Sequence, residues 1–125
     1  MEDTIFGLGK VFFGIMGKNP EARKYLVYDS CYQFNCEERS FIVRVKNTEI
    51  GEIEEGGHSP GLMDLVLEGD EETLADLFRG RISPATAFYY GKLRIPDQKS
   101  KHSQVVALFQ AMRKTQEDLY RKDWS

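Results

Sequence analysis

From Phe41 to Lys46 every second side chain is apolar: Phe41, Val43 and Val45 alternate with Ile42, Arg44 and Lys46. A period of two is that of a β-strand and puts the first set on one face. The same period returns at Met63, Leu65 and Leu67 against Asp64, Val66 and Glu68, and more briefly at Tyr32 and Phe34 against Gln33 and Asn35. A sheet with one greasy face must be covered, and the cover is further along the chain. Val105, Leu108, Phe109, Met112 and Leu119 fall at i, i+3, i+4, i+7 and i+14, which predicts a long helix over about 103–122. Strands that must be covered and a helix that must cover them imply an α+β arrangement of helices lying against a sheet.

The remaining elements follow from local signals. Asn19-Pro20 reads as an N-cap followed by proline at the first helical position, opening a short helix. Asn47-Thr48 is a turn, and 49–55 is a weak third strand whose glutamates 52, 54 and 55 make a solvated edge, hostile to pairing with another chain. The run Gly56-Gly57-His58-Ser59-Pro60-Gly61 is loop by composition. Acidic residues at Asp70–Thr73 open a helix with Leu74, Leu77 and Phe78 as its buried stripe, stopped by Gly80. Ser83-Pro84 caps another short helix that Gly91 ends, and Leu93 with Ile95 forms a fifth strand.

The first segment is the hardest to place. Ile5, Leu8, Phe12 and Ile15 have helical spacing, and Phe6, Val11, Phe13 and Met16 widen the stripe to most of the helix. Gly7, Gly9, Gly14 and Gly17 weaken that helix by up to about 1 kcal/mol each relative to alanine. A helix apolar on most sides must be held by partners: its own core, a lipid, a second copy of the chain, or a membrane surface. The run 5–16 falls short of the roughly twenty residues that span a bilayer. It follows Glu2 and Asp3 instead of the basic start of a signal peptide, and Asp123-Trp124-Ser125 is not a peroxisomal address, so the cytoplasm is the expected compartment.

Length and composition narrow the function classes. With 125 residues, 41% hydrophobic and 30% charged, the chain is expected to form one soluble globular domain over 1–125. A net charge of −3 with scattered lysines and arginines argues against nucleic acid as a partner. The densest basic groups are Lys92, Arg94, Lys99 and Lys101, then Arg113, Lys114, Arg121 and Lys122, read as solvated faces. Cys31 and Cys36, with only His58 and His102 to join them, do not make a zinc pattern, and they read as reduced thiols in or near a strand.

Catalytic signatures fail one by one. Gly7-Leu8-Gly9 lacks the third glycine of a dinucleotide fingerprint, since Phe12 stands there, and Gly17-Lys18 lacks the hydroxyl residue of a phosphate loop, since Asn19 follows. His58 and His102 fall in polar, exposed contexts, and the carboxylate pairs Glu37-Glu38, Glu54-Glu55 and Glu71-Glu72 are adjacent residues whose side chains diverge. No catalytic residue, metal or cofactor is therefore assigned.

The stretch Asp64–Ile95 resembles the sterol carrier protein 2 family. Its Gly80, Arg81, Ile82, Pro84, Ala87, Phe88, Gly91, Lys92, Leu93, Arg94 and Ile95 fit that family's pattern, as do Tyr32-Gln33-Phe34 and Phe41–Asn47 upstream, over about 30–115 in all. Pro96-Asp97 and the polar 98–102 depart from it, and the N-terminal helix matches nothing in it. The resemblance implies a five-stranded mixed sheet covered by helices around an apolar cavity, and non-catalytic binding or transfer of a fatty acid, acyl-CoA, sterol or phospholipid. The alternative it implies is an accessory or oligomerisation module that assists a lipid-related enzyme. On that reading the cavity walls are Phe41, Val43, Val45, Leu65 and Leu67 from strands and Leu74, Leu77, Phe78, Phe88, Phe109 and Met112 from helices. Residues 5–16 are then a lid, a homo-oligomer interface or a membrane-surface contact.

Overall fold

A computed structural model describes residues 4–37, 39–57, 64–96 and 99–124, with side chains followed as far as Leu119. Along the chain run α1 (Ile5–Gly17), α2 (Pro20–Arg23), β1 (Ser30–Cys36), β2 (Arg39–Lys46), β3 (Glu49–Ile50), β4 (Glu54–Glu55), β5 (Asp64–Gly69), α3 (Glu71–Phe78), α4 (Pro84–Tyr89), β6 (Leu93–Arg94) and α5 (His102–Trp124). The sheet order is β3-β2-β1-β5-β6, with β4 also paired to β2. It is mixed: β1 and β5 are parallel, and the other pairs are antiparallel.

The caps do what their residue types predict. Thr4, Asn19, Asp70 and Ser83 each accept a backbone N–H in the first turn of α1, α2, α3 and α4. Asn47 and Thr48 both take positive φ, 54° and 63°, the pair of left-handed residues that a tight hairpin between β2 and β3 requires.

The expected third strand differs in one respect. It is two short pieces, β3 and β4, so the sheet has six strand segments instead of five. Ile50 pairs with Val45 and Glu54 with Ile42, which leaves Gly51, Glu52 and Ile53 opposite only Val43 and Arg44. One extra residue on the edge strand makes a β-bulge, which interrupts pairing and leaves the acidic edge in solvent. Met63 and His58 lie outside the described residues, and the fourth predicted strand begins at Asp64 as β5.

Helices α1, α3 and α5 share the inner face of the sheet. On α5 the buried side is Val105, Leu108, Ala111, Met112, Thr115 and Gln116. On α1 it is Ile5, Phe12, Phe13 and Met16, with Gly7 and Gly9. Leu8 and Ile15, expected at the centre of the α1 stripe, are only half-buried. No described helix is long and apolar enough to cross a membrane.

Candidate lipid-binding face

The inner face of the sheet is built in rungs. Val43, Tyr32 and Leu65 lie side by side across β2, β1 and β5, and Phe41, Phe34 and Leu67 form the next rung. All six are buried. Phe34 and Phe41 stack with ring centroids 5.1 Å apart and planes 11° from parallel. From the helical layer, Phe78 of α3 reaches both, at 5.8 Å and 5.9 Å.

The space above these rings belongs to α1. Phe13 lies 5.4 Å from Phe34 and 5.9 Å from Phe78, Phe12 lies 5.4 Å from Phe78 and 5.3 Å from Phe13, and Phe6 meets the edge of Phe41 at 6.2 Å. Six phenylalanines thus pack ring against ring where an open cavity was expected. Edge and tilted contacts at 4.5–7 Å are the favoured geometry of such rings, so this is a well-formed apolar core.

Of the expected wall residues, Phe41, Val43, Val45, Leu65, Leu67, Leu74, Leu77, Phe78 and Met112 are buried, and all join one hydrophobic cluster. Phe88 and Phe109 do not reach its centre: they are half-buried at its margin and pair with each other at 6.0 Å, joining α4 to α5. Sequence reasoning did not assign Tyr32, Phe34, Phe12 or Phe13 to the site. Tyr32 and Phe34 carried the same alternation as the assigned strand residues and could have been found by it. Phe12 lay on the primary helical stripe with Ile5, but in a helix apolar on most sides nothing singled out Phe12 or Phe13 as site residues.

Surface clefts are lined by other residues. One of about 370 Å³ runs along the seam between α1 and the bulged edge, past Phe13, Gly14, Gly17, Ile50 and Ile53. A wider one of about 820 Å³ lies by the start of α5, with Val27, Tyr28, Lys99, His102 and Gln104. On the outward side of α1, Lys10, Val11 and Gly14 are exposed, and its other large apolar residues are wholly or partly buried within this chain.

Cys31 and Cys36 are reduced thiols buried in β1, and Arg44 donates to the Cys31 sulfur at 3.8 Å. Burial pushes the Cys31 thiol up, helped by the nearby Asp64 carboxylate, and burial likewise raises Cys36. A thiol held protonated is a poor nucleophile. His102 is exposed at the start of α5.

The fold has known relatives. The model of the SCP-2 sterol transfer family matches residues 18–96. Among solved structures, sterol carrier protein 2 superposes with a TM-score of 0.67 at 12% identity, over 90% of this chain and 92% of that one. The UbiJ-SCP2 ubiquinone synthesis protein gives 0.59 at 14% identity, over 92% and 94%. The inverting sec-alkylsulfatase Pisa1 from Pseudomonas sp. gives 0.58 at 16% identity, over 80% of this chain but 16% of that much longer one. At such identities the structural likeness is one of fold. No protein of curated function matches the chain in sequence. The matched span begins at Lys18, immediately after α1, so the helix that carries Phe12 and Phe13 lies outside it. That span is well over half of the sequence, and the chain belongs to the SCP-2 sterol transfer family.

Proposed function

We propose that this protein binds and carries a lipid, without catalysis, by admitting its aliphatic chain between the sheet and the helices in place of the α1 phenylalanines. The observation that carries the reading is the position of Phe12 and Phe13: they occupy the inner face of a lipid-carrier fold, and both sit on one terminal helix outside the family match. That helix has four glycines in 13 residues, each lowering its intrinsic stability by up to about 1 kcal/mol. The cleft along its seam with β3 reaches Phe13 from outside.

The energetics favour a reversible exchange. Burying some fourteen methylenes is worth roughly 11 kcal/mol gross, at about 0.8 kcal/mol each. Exposing two phenylalanine side chains costs about 3–6 kcal/mol, and immobilising the ligand takes back several more. A small net gain suits a carrier that must also release its cargo. Native mass spectrometry of protein purified from cells should show a lipid adduct, and a fluorescent fatty-acid probe should bind and be displaced by unlabelled lipid. A clean unliganded mass together with no probe binding would remove this reading.

A second reading has one observation of its own. The likeness to Pisa1 spans a small part of that enzyme, so this fold also occurs as one portion of a larger catalyst. As an accessory module the chain would keep its core permanently filled. Probe binding that appears only after Phe12→Ala and Phe13→Ala would favour it.

A further inference from the structure

Tyr32 sits in the middle of β1, between Val43 and Leu65, and is 0% exposed. Its phenol oxygen is buried and has no hydrogen-bond partner among the described residues. Nine in ten or more of such groups in proteins are paired, and an orphan weakens the fold. The buried polar side chains around the core are provided for. Ser30 Oγ accepts from Gln104, Gln33 donates to Asn35, Thr115 donates to the Ala111 carbonyl, Gln116 donates to two carbonyls, and Thr73 bonds Asp70. Packing does not require the hydroxyl, because Phe34 fills the equivalent inward place two residues along the same strand.

We propose that the Tyr32 hydroxyl is the polar contact of the lipid site, donating its hydrogen to an uncharged ligand oxygen while the aliphatic chain runs past Phe34 and Phe41. This rests on the lipid-binding reading and narrows it. Two residues along a strand span about 6.7 Å, so a ligand oxygen at Tyr32 puts its first methylenes over Phe34 and the rest where Phe12 and Phe13 lie. The preference for a neutral oxygen comes from the surroundings. The buried polar residues are Ser30, Gln33, Thr73, Thr115 and Gln116, and no lysine or arginine is among them in the described residues. A carboxylate or phosphate there would be a buried charge without a counterion. Burial pushes the phenol up and keeps it a neutral donor; the Ser30 hydroxyl on the same strand draws it back slightly, but it is engaged by Gln104 and does not meet the Tyr32 oxygen in hydrogen-bonding geometry. The ligand class is a long-chain lipid carrying a hydroxyl or a carbonyl.

The test is Tyr32→Phe in the full chain, with hexadecan-1-ol, hexadecane and palmitate competing against a fluorescent lipid probe. Wild type should prefer hexadecanol to palmitate. The variant should bind hexadecanol about fivefold more weakly, the worth of one net hydrogen bond, and hexadecane as before. Its melting temperature without ligand should be unchanged or higher, since an orphaned group has been removed. Unchanged hexadecanol affinity, an equal loss for hexadecane, or a lowered melting temperature (a partner within the protein) would each overturn the assignment. Wild type that binds none of the ligands or the probe removes the lipid reading itself, and the assignment falls with it.

Discussion

Gly9 and Phe41 are in contact through the absence of a side chain: a β-carbon on Gly9 would lie 2.7 Å from Cζ of Phe41 and 3.1 Å from Cε2. The ring cannot easily retreat, because it is stacked on Phe34 and flanked by Phe78. Gly9→Ala should therefore destabilise the protein by about 1–3 kcal/mol through overpacking, outweighing the roughly 1 kcal/mol by which alanine favours the helix. Thermal unfolding checks it. A melting temperature at or above that of wild type would mean that α1 can rise off the sheet without loss.

Gly14, five residues on, predicts the opposite sign. A β-carbon there meets nothing within 4 Å, and the position is exposed. Gly14→Ala should stabilise by about 0.4–1 kcal/mol, as it removes freedom from the unfolded chain without touching the core. If α1 must move for lipid to enter, the same variant should also load a fatty-acid probe more slowly.

The contrast between these two glycines locates the limit of sequence reading. Strands β1, β2 and β5, the caps at Asn19, Asp70 and Ser83, and the buried stripes of α3 and α5 were legible, because local period and capping chemistry decide them. Three things were not. The break between β3 and β4 depends on which residues of β2 lie opposite, a non-local matter of register. The facing of α1 was undecidable from periodicity because nearly every position is apolar, and it is settled by Phe41 pressing on Gly9. Whether Phe41 and Phe78 wall a space or fill it was beyond reach too, since an inward phenylalanine looks the same whether it meets a lipid or Phe12.

Gln116 is a polar residue on the apolar stripe of α5, and its role needs the end of α3 to be nearby. Its side-chain amide donates to the carbonyls of Leu77 and Ile82, at 2.9 Å and 2.8 Å, and is almost wholly buried. Gly80, at φ 78°, turns the chain against it. Gln116→Leu keeps the bulk but withdraws both donors, so it should cost about 1–3 kcal/mol for the stranded acceptors. Urea unfolding measures this. A neutral result would mean that water or a backbone shift replaces the amide.

Asp70 gives the fold a defined response to acid. Hydrogen bonds from the Thr73 side chain and then its backbone N–H, the latter at 2.8 Å, hold its carboxyl below the ordinary value of 3.8. A depressed folded pKa means stability that is fully present above the unfolded value and lost as pH falls through the folded one. The urea midpoint of wild type should therefore drop below about pH 4 more than that of Asp70→Asn, which keeps the cap without the charge. Asp70→Ala should be weaker by about 1 kcal/mol already at neutral pH. Parallel acid profiles for wild type and Asp70→Asn would show that the carboxylate adds nothing beyond its geometry.

The strongest test of α1 as the gate uses Gly17 and Ile50. A β-carbon at Gly17 would stand 3.8 Å from that of Ile50, the mean spacing across a disulfide, and the pair spans the seam beside the 370 Å³ cleft. Gly17→Cys with Ile50→Cys should oxidise readily and pin the end of α1 to β3. The native thiols need not be removed. Burial keeps Cys31 and Cys36 protonated and slow, and five residues apart on one strand they lie about 17 Å from each other, too far to pair. Closing the loop between residues 17 and 50 should stabilise the protein by about 4 kcal/mol relative to its reduced form. Because the lock holds Phe13 over Phe34 and Phe12 against Phe78, the oxidised protein should load a fatty-acid probe at least tenfold more slowly than the reduced one, and dithiothreitol should restore the rate. Equal loading in both states would mean that lipid enters without moving α1, leaving the wider cleft at the start of α5 as the route to examine.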